Sequence, residues 1–125
     1  MKLLFVSDSF KGSLTSAQTI QYLKKAAEEV FGSCECQGIP VADGGEGTID
    51  AVVQACHGEK LSCRVQDPLG REITAYYGCV GSTAVIEMAQ ASGLPLVMEA
   101  ERDPRKTSTY GTGQLLMDAL QRGFR

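Results

Sequence analysis

Histidine is nearly missing from this chain: there is one, His57, and a histidine-built metal centre is not expected without a second imidazole. His57 sits beside Gly58 at the expected end of a helix, where it complements the helix dipole rather than catalysing. No C-x-x-C pair occurs among the five cysteines, Cys34, Cys36, Cys56, Cys63 and Cys79, and neither their odd number nor their spacing builds a disulfide framework or a zinc site. They read as reduced, mostly buried thiols. Long apolar runs are missing too. Leu3 to Val6 is the only such run near the N-terminus, too short for a signal sequence or a membrane span, so a cytoplasmic location is expected. Nor is there an excess of basic charge: the net charge is −3, with no basic patch interleaved with aromatics, which argues against nucleic acid as a partner. The local exception is Arg102, Arg105 and Lys106, which either steer an anionic substrate or form an ordinary solvated loop. No internal repeat or low-complexity linker interrupts the chain.

What is present is a 125-residue sequence of ordinary apolar and charged content, enough for one domain with a real core. No internal boundary is evident, although residues 90–110 are where a subdomain would change. Lys2 to Val6 reads as a parallel strand covered on both faces, closed by Ser7-Asp8-Ser9. Thr15 and Gln18 have capping-box spacing, and Ala17, Ile20, Leu23, Ala27, Val30 and Phe31 recur at helical intervals, predicting a helix over Ser16–Phe31 ended by Gly32. A strand over about Cys34–Val41 follows. Ile49, Val52, Val53 and Cys56 then make an i, i+3, i+4, i+7 stripe for a helix over Thr48–His57.

This strand-helix-strand-helix opening is the pattern of a doubly wound α/β domain, here Rossmann-like and three-layered. The period then changes. Leu61, Cys63 and Val65 alternate, Asp67-Pro68-Leu69-Gly70 turns, and Ile73, Ala75, Tyr77 and Cys79 alternate again, predicting a β-hairpin excursion. Thr83 to Ile86 is a further short strand ending at Glu87. Met88 to Ser92 leads to a Gly93/Pro95 break, residues from about Val97 to Tyr110 read as a long polar loop, and Gly111-Thr112-Gly113 opens a last helix.

Three segments carry candidate chemistry. The first is Asp8-Ser9-Phe10-Lys11-Gly12-Ser13, at a strand end. The second is Pro40-Val41-Ala42-Asp43-Gly44-Gly45-Glu46-Gly47-Thr48, a glycine-rich strand-to-helix turn whose N–H groups can approach an anion, with Asp43 and Glu46 able to bind Mg²⁺ or handle a proton beside it. The same glycines also serve a tight turn with no ligand at all. The third is Thr107-Ser108-Thr109-Tyr110-Gly111-Thr112-Gly113, hydroxyl-rich and again at a helix start. Cation or N–H donors, carboxylates and hydroxyls are the ingredients of phosphoryl transfer. No standard nucleotide motif is matched: Gly44 to Thr48 lacks the lysine and length of a P-loop, and Gly111-x-Gly113 lacks a third glycine.

Taken in order with Asp67-Pro68-Leu69-Gly70-Arg71, Ala84-Val85-Ile86-Glu87-Met88-Ala89 and Ser92-Gly93-Leu94, these segments resemble the N-terminal part of the bacterial-type glycerate kinases. The resemblance runs over nearly the whole chain. It implies ATP-dependent phosphorylation of D-glycerate to 2-phosphoglycerate with Mg²⁺, in a longer protein of two α/β domains. Because this chain ends where the family's next glycine-rich segment begins, the 125 residues alone are expected to hold only part of the site and to be inactive. On this resemblance Asp43, Lys11 and Glu87 are the catalytic candidates, Asp43 as base or Mg²⁺ ligand. Lys11 neutralises a phosphate or the glycerate carboxylate, or is a surface lysine in a turn; Glu87 is catalytic or accepts N–H bonds from a neighbouring loop. Asp8, Ser9, Gly44, Gly45, Glu46, Gly47, Thr48, Arg105, Thr107, Ser108, Gly111, Thr112 and Gly113 are candidates for binding substrate or phosphate. The alternative is a non-catalytic module that binds a small hydroxy-acid or phosphate through the same loops.

Overall fold

Lys2–Ser7 forms β1 and Glu35–Pro40 forms β2, paired in parallel with Lys2 opposite Glu35 and Ser7 opposite Pro40. These and the elements below come from a computed structural model, which describes residues 1–10 and 12–125. The chain divides into two compact units, Met1–Ala51 and Val52–Arg125.

In the first unit α1 spans Ser16–Phe31, as its local signals predict. The Gln18 N–H donates to Thr15 Oγ1 (3.2 Å) and the Thr15 N–H to Gln18 Oε1 (2.9 Å), so each residue satisfies a helix-end donor of the other. Gly32 closes the helix at φ 67°, its N–H reaching the Glu28 carbonyl. The helix lies on the strand pair through a close approach at Gly38, where an added Cβ would stand 2.1 Å from Ile20 Cγ2. Of the helix's predicted apolar positions only Ile20 and Ala27 are buried, while Leu23, Val30 and Phe31 stay exposed. Leu4, Val6 and Ile39 on the strands are exposed as well, so β1 is not covered on both faces in this chain. Helix α2, Thr48–Cys56, follows β2 and buries Ile49. His57 beyond it takes a left-handed conformation, φ 52°, and the Gly58 N–H turns back to the Val53 carbonyl, which ends the helix there.

In the second unit β3 (Glu59–Gln66) and β4 (Glu72–Val80) pair antiparallel from Glu59/Cys79 to Gln66/Glu72. This is the predicted hairpin. Strand β5, Thr83–Val85, joins its β4 edge antiparallel rather than the parallel pair, because only Gly81 and Ser82 separate it from β4 and Gly81 supplies φ 58° for the reversal. After α3 (Ala89–Ser92) and short 3₁₀ turns at Leu94–Leu96 and Glu99–Glu101, helix α4 spans Tyr110–Gln121.

Val65, Ala75, Tyr77, Ala91, Leu115 and Ala119 form this unit's core, where hairpin, α3 and α4 meet. Tyr77 is fully buried, edge-on to Phe124 at 6.1 Å, and its hydroxyl donates to Asp118 Oδ2 (2.8 Å). Burial, then that bond, pushes its ionisation up to about 12. The cysteines are all free; Cys56 is exposed and the other four are half-buried, Cys63 and Cys79 against this unit's core. Among the described residues no helix is long and apolar enough to cross a membrane.

Candidate functional site

Parallel strands deliver two of the candidate segments to one edge of the first unit. Since Ser7 faces Pro40 and the Val41 N–H bonds to the Ser7 carbonyl (3.1 Å), the chain leaves β1 and β2 side by side. Carboxyl ends of parallel strands are where α/β proteins hold ligands. On the β1 side, the Asp8 carboxylate accepts the Ser9 N–H (2.7 Å) and the Ser7 hydroxyl donates to the Asp8 carbonyl (2.9 Å). Lys11, the candidate cation, lies outside the described residues.

On the β2 side, Asp43 Oδ1 accepts the Gly45 N–H (3.0 Å), fixing the turn, while the carboxylate as a whole is exposed. Gly44 and Gly47 have φ 99° and 92°, values that L side chains rarely adopt. The Thr48 hydroxyl donates to the Gly45 carbonyl (2.7 Å), so it closes the turn into α2. Glu46 is exposed on the same loop. A carboxylate that is solvent-reachable yet oriented by its own loop can accept a proton or join a metal's coordination shell.

The remaining candidates belong to the second unit. Glu87 is buried at 1% exposure just after β5; Gln90 Nε2 donates to its Oε1 at 3.4 Å. Thr107, Ser108 and Thr109 line a cavity of about 580 Å³ together with Pro68, Ser92, Gly93, Leu94, Val97, Arg102, Asp103 and Pro104. The loop forming it is fastened at several points. Arg71 donates to the Leu96 carbonyl (2.9 Å) and pairs with Glu101 (3.3 Å), and the Ser108 N–H bonds to the Pro68 carbonyl (2.9 Å). Ser92 and Thr112 join hydroxyl to hydroxyl at 2.7 Å, which ties α3 to α4 and occupies the Thr112 side chain.

Beneath this loop, Asp67 is a buried carboxylate the sequence shows only as a turn residue. Its Oδ1 accepts N–H bonds from Leu69 (2.8 Å) and Arg71 (2.9 Å), and its Oδ2 pairs with the Arg71 guanidinium. Burial alone would raise this carboxyl, but those N–H groups and the cation hold it below its ordinary value.

Charge along the loop differs from the sequence reading. Arg105 grips Asp103 with two bonds of 3.0 Å, and Lys106 stands 3.6 Å from the same carboxylate. Asp103 is thereby held below its usual value, first by the Arg105 side chain and then by the Arg105 N–H. The cation lining the cavity is Arg102 instead. Its Nε donates to the Val97 carbonyl at 3.4 Å, and among the described residues no carboxylate pairs with it. Gly111 does not line the cavity; it is buried where α4 crosses β3, and Gly113 faces open space.

Among the described residues no three His, Cys, Asp or Glu side chains gather as a metal cage. Mg²⁺ at phosphoryl-transfer sites needs only one or two carboxylates besides phosphates and water; Asp8 and Asp43 are the carboxylates that follow the paired ends of β1 and β2.

The glycerate kinase family profile matches residues 3–125. A glycerate kinase of Halalkalibacterium halodurans is 48% identical over 123 residues, 97% of this chain and 32% of that protein. The glycerate 2-kinase of Escherichia coli is 42% identical over 125 residues, 98% of this chain and 33% of the relative. A crystal structure of a Salmonella typhimurium LT2 protein assigned as glycerate kinase 2 superposes with a TM-score of 0.70 at 40% identity, covering 99% of this chain and 34% of that one. The chain thus spans about a third of the length of the relatives it matches.

Proposed function

The chain belongs to the glycerate kinase family, and on that premise we propose that it carries part of the site for ATP-dependent phosphorylation of D-glycerate to 2-phosphoglycerate in the cytoplasm. The supporting observation is the family match over residues 3–125, joined to an exposed, loop-oriented Asp43 at the carboxyl edge of β1 and β2. Bound ATP would supply the phosphoryl group, and Mg²⁺ would neutralise its charge.

The chain's own residues then have definable tasks. Asp43 takes the proton of the acceptor hydroxyl as that oxygen bonds to phosphorus, or holds Mg²⁺ with Asp8 near it. The Gly44–Gly47 turn permits close approach of backbone to an anion. Glu87, enclosed and bonded to Gln90, serves the fold of its unit.

The test is a coupled assay of D-glycerate-dependent ADP release by a chain of the relatives' length carrying these residues, comparing native Asp43 with Asp43→Asn. Loss of a general base costs about 10²–10⁴-fold in rate, so kcat should fall that far while the melting temperature holds. Enolase added without a mutase consumes only the 2-phospho product and so identifies the hydroxyl. Glycerate binding with no turnover in the native protein would favour a non-catalytic module, and a kcat within a few-fold for Asp43→Asn would make Asp43 scaffold.

A further inference from the structure

We infer that Cys34 and Cys36 form a reversible dithiol–disulfide couple, a redox modification site at the start of β2. Proximity is the first argument. The two sulfurs stand 3.4 Å apart, because alternate residues of an extended chain project to the same face. Two residues of strand span about 6.6 Å, inside the roughly 4.4–6.8 Å between Cα atoms that a disulfide bridges. Cys36 is held in the ladder opposite Leu3, whereas Cys34 precedes the first paired residue, Glu35. A shift of Cys34 toward Cys36 therefore disturbs none of the paired positions.

Access and reactivity are the second argument. Both thiols are half-buried rather than enclosed, so a small disulfide can reach them. Burial, then the bond to Cys34, pushes the Cys36 thiol up; Glu28 of α1 adds to this and Lys24 opposes it. Cys34 is thus the attacking thiol and Cys36 the resolving one. A bridge between them closes a loop of three residues, which removes little freedom from the unfolded chain. It serves exchange rather than stapling, as strained and accessible bridges do.

The co-reactant is a small-molecule disulfide of the glutathione class. The Cys34 thiolate attacks one of its sulfurs, forming a mixed disulfide and releasing one small thiol, which takes up the Cys34 proton. Cys36 Sγ then attacks Cys34 Sγ, and the second small thiol leaves with the Cys36 proton. Two electrons pass from the protein to the small disulfide, and a Cys34–Cys36 bond remains. Strand β2 runs on to Pro40, about 17 Å from Glu35, before the Asp43 loop begins. The couple does not depend on the kinase reading.

The test adds oxidised glutathione to the reduced chain, alkylates the remaining thiols and sequences tryptic peptides by mass spectrometry. The expected product is a Cys34–Cys36 bridge, two hydrogens lighter than the dithiol, which excess reduced glutathione opens again. Exposed Cys56 should stop at a glutathione adduct. Cys36→Ser should accumulate glutathione on Cys34 at least about ten-fold faster than Cys34→Ser accumulates it on Cys36, with circular dichroism showing that both variants fold. Equal or reversed rates overturn the assignment of Cys34 as the attacking thiol. In the native chain, two unmodified thiols, a lasting adduct on Cys34 or Cys36, or a bridge that reduced glutathione leaves closed overturns the couple.

Discussion

Replacing Gly111 by alanine places a methyl group where α4 crosses β3, and the cost can be worked from the contact. The new Cβ would stand 1.8 Å from the Gln66 carbonyl oxygen, 3.0 Å from its carbon and 3.2 Å from Ala91 Cβ. Two of these are backbone atoms, with no rotamer to move. Gln66 is also held from the other side, since its N–H donates to Gln114 Oε1 at 2.7 Å, so helix and strand cannot separate without losing that bond and opening the contacts of buried Leu115 and Ala119. Overpacking costs about 1–3 kcal/mol even where side chains can adjust, and a rigid carbonyl puts Gly111→Ala at the upper end, about 3 kcal/mol. Gly113, two residues on, meets nothing within 4 Å, and alanine there gains about 0.8–1 kcal/mol of helix propensity. Urea denaturation followed by circular dichroism should therefore separate the two variants by roughly 4 kcal/mol in opposite directions. Equal effects would refute the close approach of α4 to β3. Loss of ligand binding by a stabilised Gly113→Ala protein would show instead that Gly113 approaches a ligand.

Other outcomes follow from buried polar groups and caps. Asp67→Asn should destabilise by about 1.5 kcal/mol, since it removes a buried carboxylate's charge-assisted bond to Arg71 while the half-exposed guanidinium keeps Glu101 and the Leu96 carbonyl as partners. The lowered Asp67 carboxyl contributes stability above its unfolded value near pH 4 and loses it as the pH falls through its folded value; acid unfolding of Asp67→Asn should lack this component. Tyr77 is raised to about 12, so its contribution is complete below its unfolded value near pH 10 and declines through pH 12, where spectrophotometric titration should show it ionising together with unfolding. Thr15→Ala removes one half of the α1 capping box and should cost about 1 kcal/mol by thermal denaturation.

Local rules carry the sequence reading as far as they reach. Helix α1 is legible to the residue because Thr15, Gln18 and Gly32 act on their own neighbours, and the hairpin because alternation and Asp67-Pro68-Leu69-Gly70 set strand and turn without distant help. The Gly44 and Gly47 turn of the first unit is legible for the same reason. Burial is not. The same periodic stripe on α1 contains buried Ile20 and exposed Val30, because exposure depends on what packs against each turn.

The second unit shows the limit most clearly. Arg102, Arg105 and Lys106 are equivalent letters in a short basic cluster; the loop's folding spends Arg105 and Lys106 on Asp103 and leaves Arg102 at the cavity. Gly111 and Gly113 read alike in one motif, yet one is a packing contact with a strand 45 residues earlier and the other faces solvent. Asp67 looks like a turn former and is also the buried anchor of Arg71. The sequence by itself determined the elements, their caps and the family, since those rest on near neighbours and ordered motifs. Only the tertiary structure decided which glycine is a contact, where the cavity lies and that Arg102 lines it, because each depends on groups far apart in the chain being brought within a few ångströms.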